Sequence, residues 1–229
     1  ETVPLMPDYH SLTERLQMEW DKKSRYLKSN QVENADPSML FSECAGIFSE
    51  FARVVCIVVG SLQQNGEVWK LRLKSVANEE EATLLRDFVE LLGKVLQFYP
   101  NTVFCGHNIK EFDIPFLCRR MIINGIALPE MMQLSGKKPW EVNHIDTMDM
   151  WRFGDYKHFT SLSLLAEVLG IPSPKDDMDG SMVADVFWKE KDLPRIARYC
   201  MQDVFTTEKV YLHLKALPHI HPEPVYVTE

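Results

Sequence analysis

The stretch from Thr102 to Ile122 limits what this chain can fold into more than any other. Thr102, Val103, Phe104 and Cys105 form a short apolar β run that stops at Gly106, where the chain turns. Beyond the turn, Ile114, Leu117, Cys118, Met121 and Ile122 recur at the spacing of one buried helical stripe. Pro115 fits such a helix only in its first turn, where its missing N–H costs nothing. Strand, turn and helix start together put Asp113 at a helix N-terminus just past a strand end. A carboxylate there faces the positive end of the helix dipole and is expected to stay ionised, able to bind a cation. An acid that only caps the helix would leave the same local pattern.

A second long helix is predicted from Leu193 to Leu214, with Asp192 as N-cap and Pro194 in the first turn. Ile196, Cys200, Val210 and Leu214 mark its buried stripe. Tyr199 and Asp203 fall on the same stripe, four residues apart, so the two side chains stack on one face. An acid among core positions needs a partner, because an unpaired buried charge is costly. A neighbouring backbone N–H would serve as well as a cation. At the start of the chain, Glu1-Thr2-Val3-Pro4 opens with an acid, and Pro4 ends any strand there.

Taken together, these three places resemble the DEDD (DnaQ-like) superfamily of 3′–5′ exonucleases, in its tyrosine branch. The first motif of that superfamily is Asp-x-Glu, with Glu1 in the Glu position. The second is Asn-x-x-x-Phe-Asp, matched by Asn108, Phe112 and Asp113, and the third is Tyr-x-x-x-Asp, matched by Tyr199 and Asp203. The fuller phrases Gly106 to Pro115 and Leu169 to Ser181 look most like the stand-alone exonucleases related to the proofreading domain of family-B DNA polymerases. The likeness runs over most of Val54 to Tyr211. The Asp of the first motif would precede Glu1, so upstream residues are expected to complete the first strand.

The resemblance implies a ribonuclease H-like α/β fold, a mixed five-stranded sheet with helices on both faces. It implies that Glu1, Asp113 and Asp203 hold two divalent ions, Mg²⁺ or Mn²⁺, with Tyr199 completing the catalytic set. Asn108 and Phe112 would shape the pocket for the terminal nucleotide. The implied reaction is hydrolysis of phosphodiester bonds from the 3′ end of single-stranded nucleic acid, DNA before RNA. Two divalent ions about 3.5–4 Å apart can activate the attacking water and stabilise the leaving oxygen, and such ions take hard oxygen ligands. A ribonuclease of the same superfamily and a non-catalytic nucleic-acid-binding module with this fold stand as alternatives.

Composition narrows the partners. With 229 residues, one large core is within reach, and a single domain over residues 1–229 is expected, carrying a helical insertion over residues 5–50. A net charge of −8 argues against a broad surface that tracks duplex, which wants a basic face. It leaves room for a protein that grips a few nucleotides. Five cysteines without a C-x-x-C pair read as reduced thiols, so a cytoplasmic location is expected. No run of about 18 apolar residues occurs, so no membrane span is expected.

In the insertion, Ser11-x-x-Glu14 reads as a capping box that starts a helix running towards Leu27. Asn30 to Pro37 is a polar break, and Ser38 to Phe48 a second short helix. The pair could overhang a substrate groove or simply pack. Arg53 to Gly60 holds an apolar run typical of a strand covered on both faces. Gly66 opens Val68 to Val76, where Trp69, Leu71 and Leu73 alternate with Lys70, Arg72 and Lys74. That basic face suits a phosphate backbone or plain edge protection. Glu79 to Phe98 reads as a helix.

Lys137, Lys138 and Trp140 suit a phosphate with a stacked base, or a solvated turn. Val142 to Ile145 is a short strand. Asp146 caps the helix after it or supports a metal site from behind. Ser161 to Leu169 is helical and Gly170 ends it. Asp177-Met178-Asp179-Gly180 is no calcium loop, because Lys175 and Val186 stand where acids are required. Ser181 is expected to cap a helix up to Trp188. His213, His219 and His221 lack the spacing of a zinc site, and Pro218 to Glu229 reads as a surface tail.

Overall fold

The strand expected over Arg53–Gly60 forms, and a single residue interrupts it. In the computed structural model, which describes residues 1–27, 36–65, 68–172, 178–217 and 225–226, β1 (Thr2–Pro4) pairs antiparallel with β2 (Ala52–Val54). After Val55, β3 (Cys56–Asn65) pairs over its full length with β4 (Val68–Ala77). At the break, one residue faces two: Val55 donates its N–H to the Glu1 carbonyl at 3.0 Å, and the Glu1 amino group donates to the Cys56 carbonyl at 2.6 Å. This is a β-bulge, which twists a strand and re-aims its side chains.

Side-chain partners follow the slip. Ala52, Val54, Ile57 and Val76 pack with α3 (Glu81–Phe98) and α4 (Asp113–Ile123), whereas Val3, Val55 and Cys56 pack with Val183, Val186, Ile196 and Cys200. The latter four belong to α7 (Val183–Asp185), the π turn after it and α8 (Leu193–Leu214). Helices thus cover both faces of a mixed α/β domain. Among the described residues the strands form three ladders, of two, three and two strands, where one five-stranded sheet was expected. The third ladder is parallel, β5 (Cys105–Gly106) beside β6 (Ile145–Asp146). It is shorter than the apolar runs suggest because the His144 ring accepts the Phe104 N–H at 3.2 Å, in place of a backbone partner.

The insertion packs around Trp20, which is fully buried with Phe41 and Phe51 edge-on to it at 5.3 and 5.0 Å. Its indole N–H donates to the Pro37 carbonyl at 2.7 Å, tying α1 (Glu14–Ser24) to α2 (Pro37–Cys44). The cap of α1 is Thr13, two residues later than the expected Ser11, because Asp8 takes the Ser11 N–H and hydroxyl for a preceding turn. In the same way Asp179 caps the turn at Gly180–Met182 where Ser181 was expected, and Ser181 donates to it. Ile122 is 64% exposed, since the buried face of α4 passes through Ile114, Phe116, Arg120 and Met121.

Arg120 joins three elements. Its Nε donates to Glu81 at 2.9 Å and its Nη1 to the Ser49 carbonyl at 2.8 Å, while Glu81 also accepts the Val54 N–H at 2.7 Å. Such a buried pair is tolerable only because its hydrogen bonds are satisfied.

The expected tail contributes a strand: β7 (Val225–Tyr226) pairs parallel with β4. α5 (Thr147–Arg152) starts at the expected cap, Asp146, and Ser161, expected as the start of the next helix, caps α6 (Leu162–Val168). No helix among the described residues is long and apolar enough to cross a membrane. The polar break over residues 30–35, the Gly66 turn, the Trp69 side chain, Lys175, Asp177, His219 and His221 lie outside the described residues.

Candidate active site

The loop between β5 and α4 is shaped by two residues that few others could replace. A Cβ on Gly106 would sit 2.7 Å from the Ile109 side chain, so only glycine lets the chain double back there. Asn108 is left-handed, with φ 61°, a conformation Asn tolerates better than most residues. Its carbonyl accepts the Phe112 N–H at 3.0 Å, and Ile114 N–H reaches the Ile109 carbonyl at 3.0 Å, which delivers the chain into α4 with Asp113 as its first residue.

Asp146 holds this loop from β6. Its carboxylate accepts the N–H groups of Asn108 (2.9 Å), Lys110 (3.1 Å) and Met148 (2.9 Å). It therefore caps α5 and also fixes the loop that carries Asp113. His107 adds a second tie: Nε2 lies 2.8 Å from the Thr160 carbonyl and Nδ1 2.9 Å from the Thr147 hydroxyl. A carbonyl only accepts, so Nε2 carries the proton. Burial holds the imidazole below its ordinary pKa, hence neutral near pH 7. On the outside, Lys110 pairs with Asp149 at 3.3 Å and Arg152 with Glu111 at 3.4 Å.

Asp113 is exposed at the first residue of α4, yet protein crowds its carboxylate from most sides. That desolvation lifts its carboxyl to about 6, and the charges of Glu1 and Asp146 add to the rise. The helix dipole expected to hold it ionised is outweighed.

Glu1 is half-buried at the bulge, ahead of β1. Tyr199 and Asp203, one turn apart on α8, are half-buried too. The Tyr199 hydroxyl is pushed well above its ordinary pKa, first by burial, then by the charges of Asp203, Glu1 and Asp179. Asp113, Glu1, Tyr199 and Asp203 thus form one electrostatic neighbourhood drawn from three elements. The Tyr199 hydroxyl also lies 3.8 Å from where a Gly180 Cβ would stand, so the Asp179–Gly180 turn walls the site. Phe112 is half-buried against Phe116, with ring centroids 5.5 Å apart.

Among the described residues, no group of three or more His, Cys, Asp or Glu side chains closes on one point as metal ligands do. The donor set is oxygen only, the chemistry that Mg²⁺ and Mn²⁺ select, and a cation would relieve the crowding that lifts Asp113. Their chemistry, though not their spacing, suits a divalent ion. Sequence reasoning missed His107, Lys110, Asp149 and Arg152. Their partners lie about 40 residues away in the chain, and no local periodicity marks them.

The acids and the tyrosine stand at the first residue of α4, at the bulge ahead of β1 and on one face of α8, in a helix-covered α/β domain. Residues 47–222 match the family described as a predicted 3′–5′ exonuclease related to the exonuclease domain of PolB. The chain belongs to that family, and the matched span includes Asn108, Phe112, Asp113, Tyr199 and Asp203. Comparison with curated proteins gives no match.

Proposed function

We propose that this chain is a metal-dependent 3′–5′ exonuclease of the tyrosine (DEDDy) type on a ribonuclease H-like scaffold. Its substrate is single-stranded nucleic acid, DNA before RNA, and its place is the cytoplasm, in keeping with free thiols at all five cysteines. What supports this reading is the electrostatic coupling of Glu1 to both Asp113 and Tyr199, with Asp203 one turn from Tyr199 on α8.

Glu1, Asp113 and Asp203 would hold the metal, as a pair of Mg²⁺ or Mn²⁺ ions, which supplies Lewis acidity to the scissile phosphodiester. Tyr199, kept protonated by its surroundings, donates its O–H and orients the attacking water. Asn108 and Phe112 flank Asp113 and meet the terminal nucleotide. An acidic protein with a terminal-nucleotide pocket built around Phe112 prefers a frayed 3′ end to a duplex, and its activity falls with salt less steeply than that of a protein neutralising many phosphates.

The test offers 5′-labelled single-stranded DNA and RNA with Mn²⁺, Mg²⁺ or chelator. Stepwise, metal-dependent shortening from the 3′ end is expected. Tight binding without cleavage would favour a non-catalytic module, a preference for RNA would favour the ribonuclease, and cutting of circles would overturn the exonuclease.

A further inference from the structure

Phe153, Tyr156 and Phe159 are 89, 71 and 67% exposed. The three rings sit on a seven-residue segment, 153–159, in which every residue faces solvent. Apolar residues scattered singly over a surface need no explanation, whereas large rings gathered on one short loop do.

The loop is held in shape. Phe153 and Gly154 are consecutive left-handed residues, φ 45° and 90°, a conformation that a bulky side chain rarely adopts. Asp155 donates its N–H to the Arg152 carbonyl at 2.8 Å and accepts the Lys157 N–H at 3.1 Å. Both ends are tied to the loop that delivers Asp113. At the first, the Arg152 guanidinium lies 5.8 Å from the Tyr156 ring centroid and pairs with Glu111. At the second, the Thr160 carbonyl accepts from His107. The segment that carries the rings is therefore anchored at both ends to residues 107–111, just ahead of Asp113.

We propose that Phe153, Tyr156 and Phe159 form a stacking platform for the bases of single-stranded nucleic acid on its way to Asp113, a proposal that rests on the nuclease reading above. Base stacking asks only for exposed ring faces and tolerates any sequence, as an exonuclease must. Lys157, exposed between the rings, brings a positive charge for the backbone into an otherwise acidic chain. A duplex keeps its base faces stacked inside and offers none to the rings, so the platform itself selects single strands.

The test compares the intact protein with the combined variant Phe153→Ala, Tyr156→Ala, Phe159→Ala, whose fold is checked by circular dichroism and Tm. Binding of a 5′-fluorescein oligothymidylate in chelator should weaken about 10-fold or more. The fluorescence of 2-aminopurine placed a few nucleotides from the 3′ end should be quenched by the intact protein and much less by the variant. With metal present, the ratio of kcat/KM for the oligomer to that for a dinucleotide should fall. Equal binding and equal quenching in the variant, with cleavage preserved, would overturn the platform and leave the nuclease reading standing. Ring-dependent binding by an intact protein that cleaves nothing would do the reverse. Sedimentation showing a dimer that the variant abolishes would make the patch an interface between copies and overturn the proposal.

Discussion

Asp146 accepts the backbone N–H of Asn108 at 2.9 Å across 38 residues of chain, and through Lys110 and Met148 it accepts two more. The first candidate for disrupting the site without touching it is therefore Asp146. Asp146→Ala leaves three N–H groups without an acceptor and should cost about 3 kcal/mol in urea unfolding. Asp146→Asn keeps one acceptor oxygen but turns an N–H₂ towards a donor, and it should cost less. Hydrogen exchange should quicken at Asn108 and Lys110 in both variants.

Asp113→Asn should abolish cleavage and leave the fold intact. Without metal it should also raise Tm. A carboxyl lifted from 3.8 to about 6 by the fold opposes folding once ionised. That penalty is absent below about pH 4, grows through about pH 6 and is complete above. The gain in Tm should accordingly be present at pH 8 and absent at pH 4. Added Mn²⁺ should stabilise the wild type more than the variant in a thermal shift titration.

Tyr199→Phe separates a hydrogen-bonding role from packing. The hydroxyl stays protonated near pH 7, so it acts as a donor and not as a base. Losing it should slow cleavage about 10- to 1,000-fold, with Mn²⁺ affinity by calorimetry unchanged. Full activity would reduce Tyr199 to a packing residue.

Glu208 is a liability that the chemistry does not use. It is 7% exposed, and neither carboxylate oxygen has a hydrogen-bond partner among the described residues. Burial lifts its carboxyl to about 7, with Lys209 pulling the other way. Because the folded pKa lies above the ordinary 4.5, stability is lost as pH rises from about 4.5 to about 7. Glu208→Met should be more stable by about 1–3 kcal/mol at pH 8 and by clearly less at pH 5, measured by denaturant midpoint.

Much of this molecule is written locally in the chain. Asp192 and Pro194 start α8 where the cap and first-turn rules put it, and the spacing of Ile196, Tyr199, Cys200 and Asp203 puts the acid and the tyrosine on one face. Pro115 fixes the start of α4 and with it the place of Asp113. These features rest on interactions spanning three or four residues, so composition and periodicity reveal them. Caps are less secure even at that range: Ser11 and Ser181 read as caps, yet Asp8 and Asp179 compete for them from a few residues upstream.

The assembly of the site rests on long-range bonds. A bulge sets Glu1 against both Val55 and Cys56, in electrostatic range of Tyr199, and nothing in the run of valines announces which residue will slip. The Asp113 loop is held by Asp146 and His107 from about 40 residues away, and Asp113 is lifted towards neutrality by crowding that no dipole argument anticipates. Hydrogen-bond register and desolvation are properties of what packs around a residue. They exist only once distant segments have met.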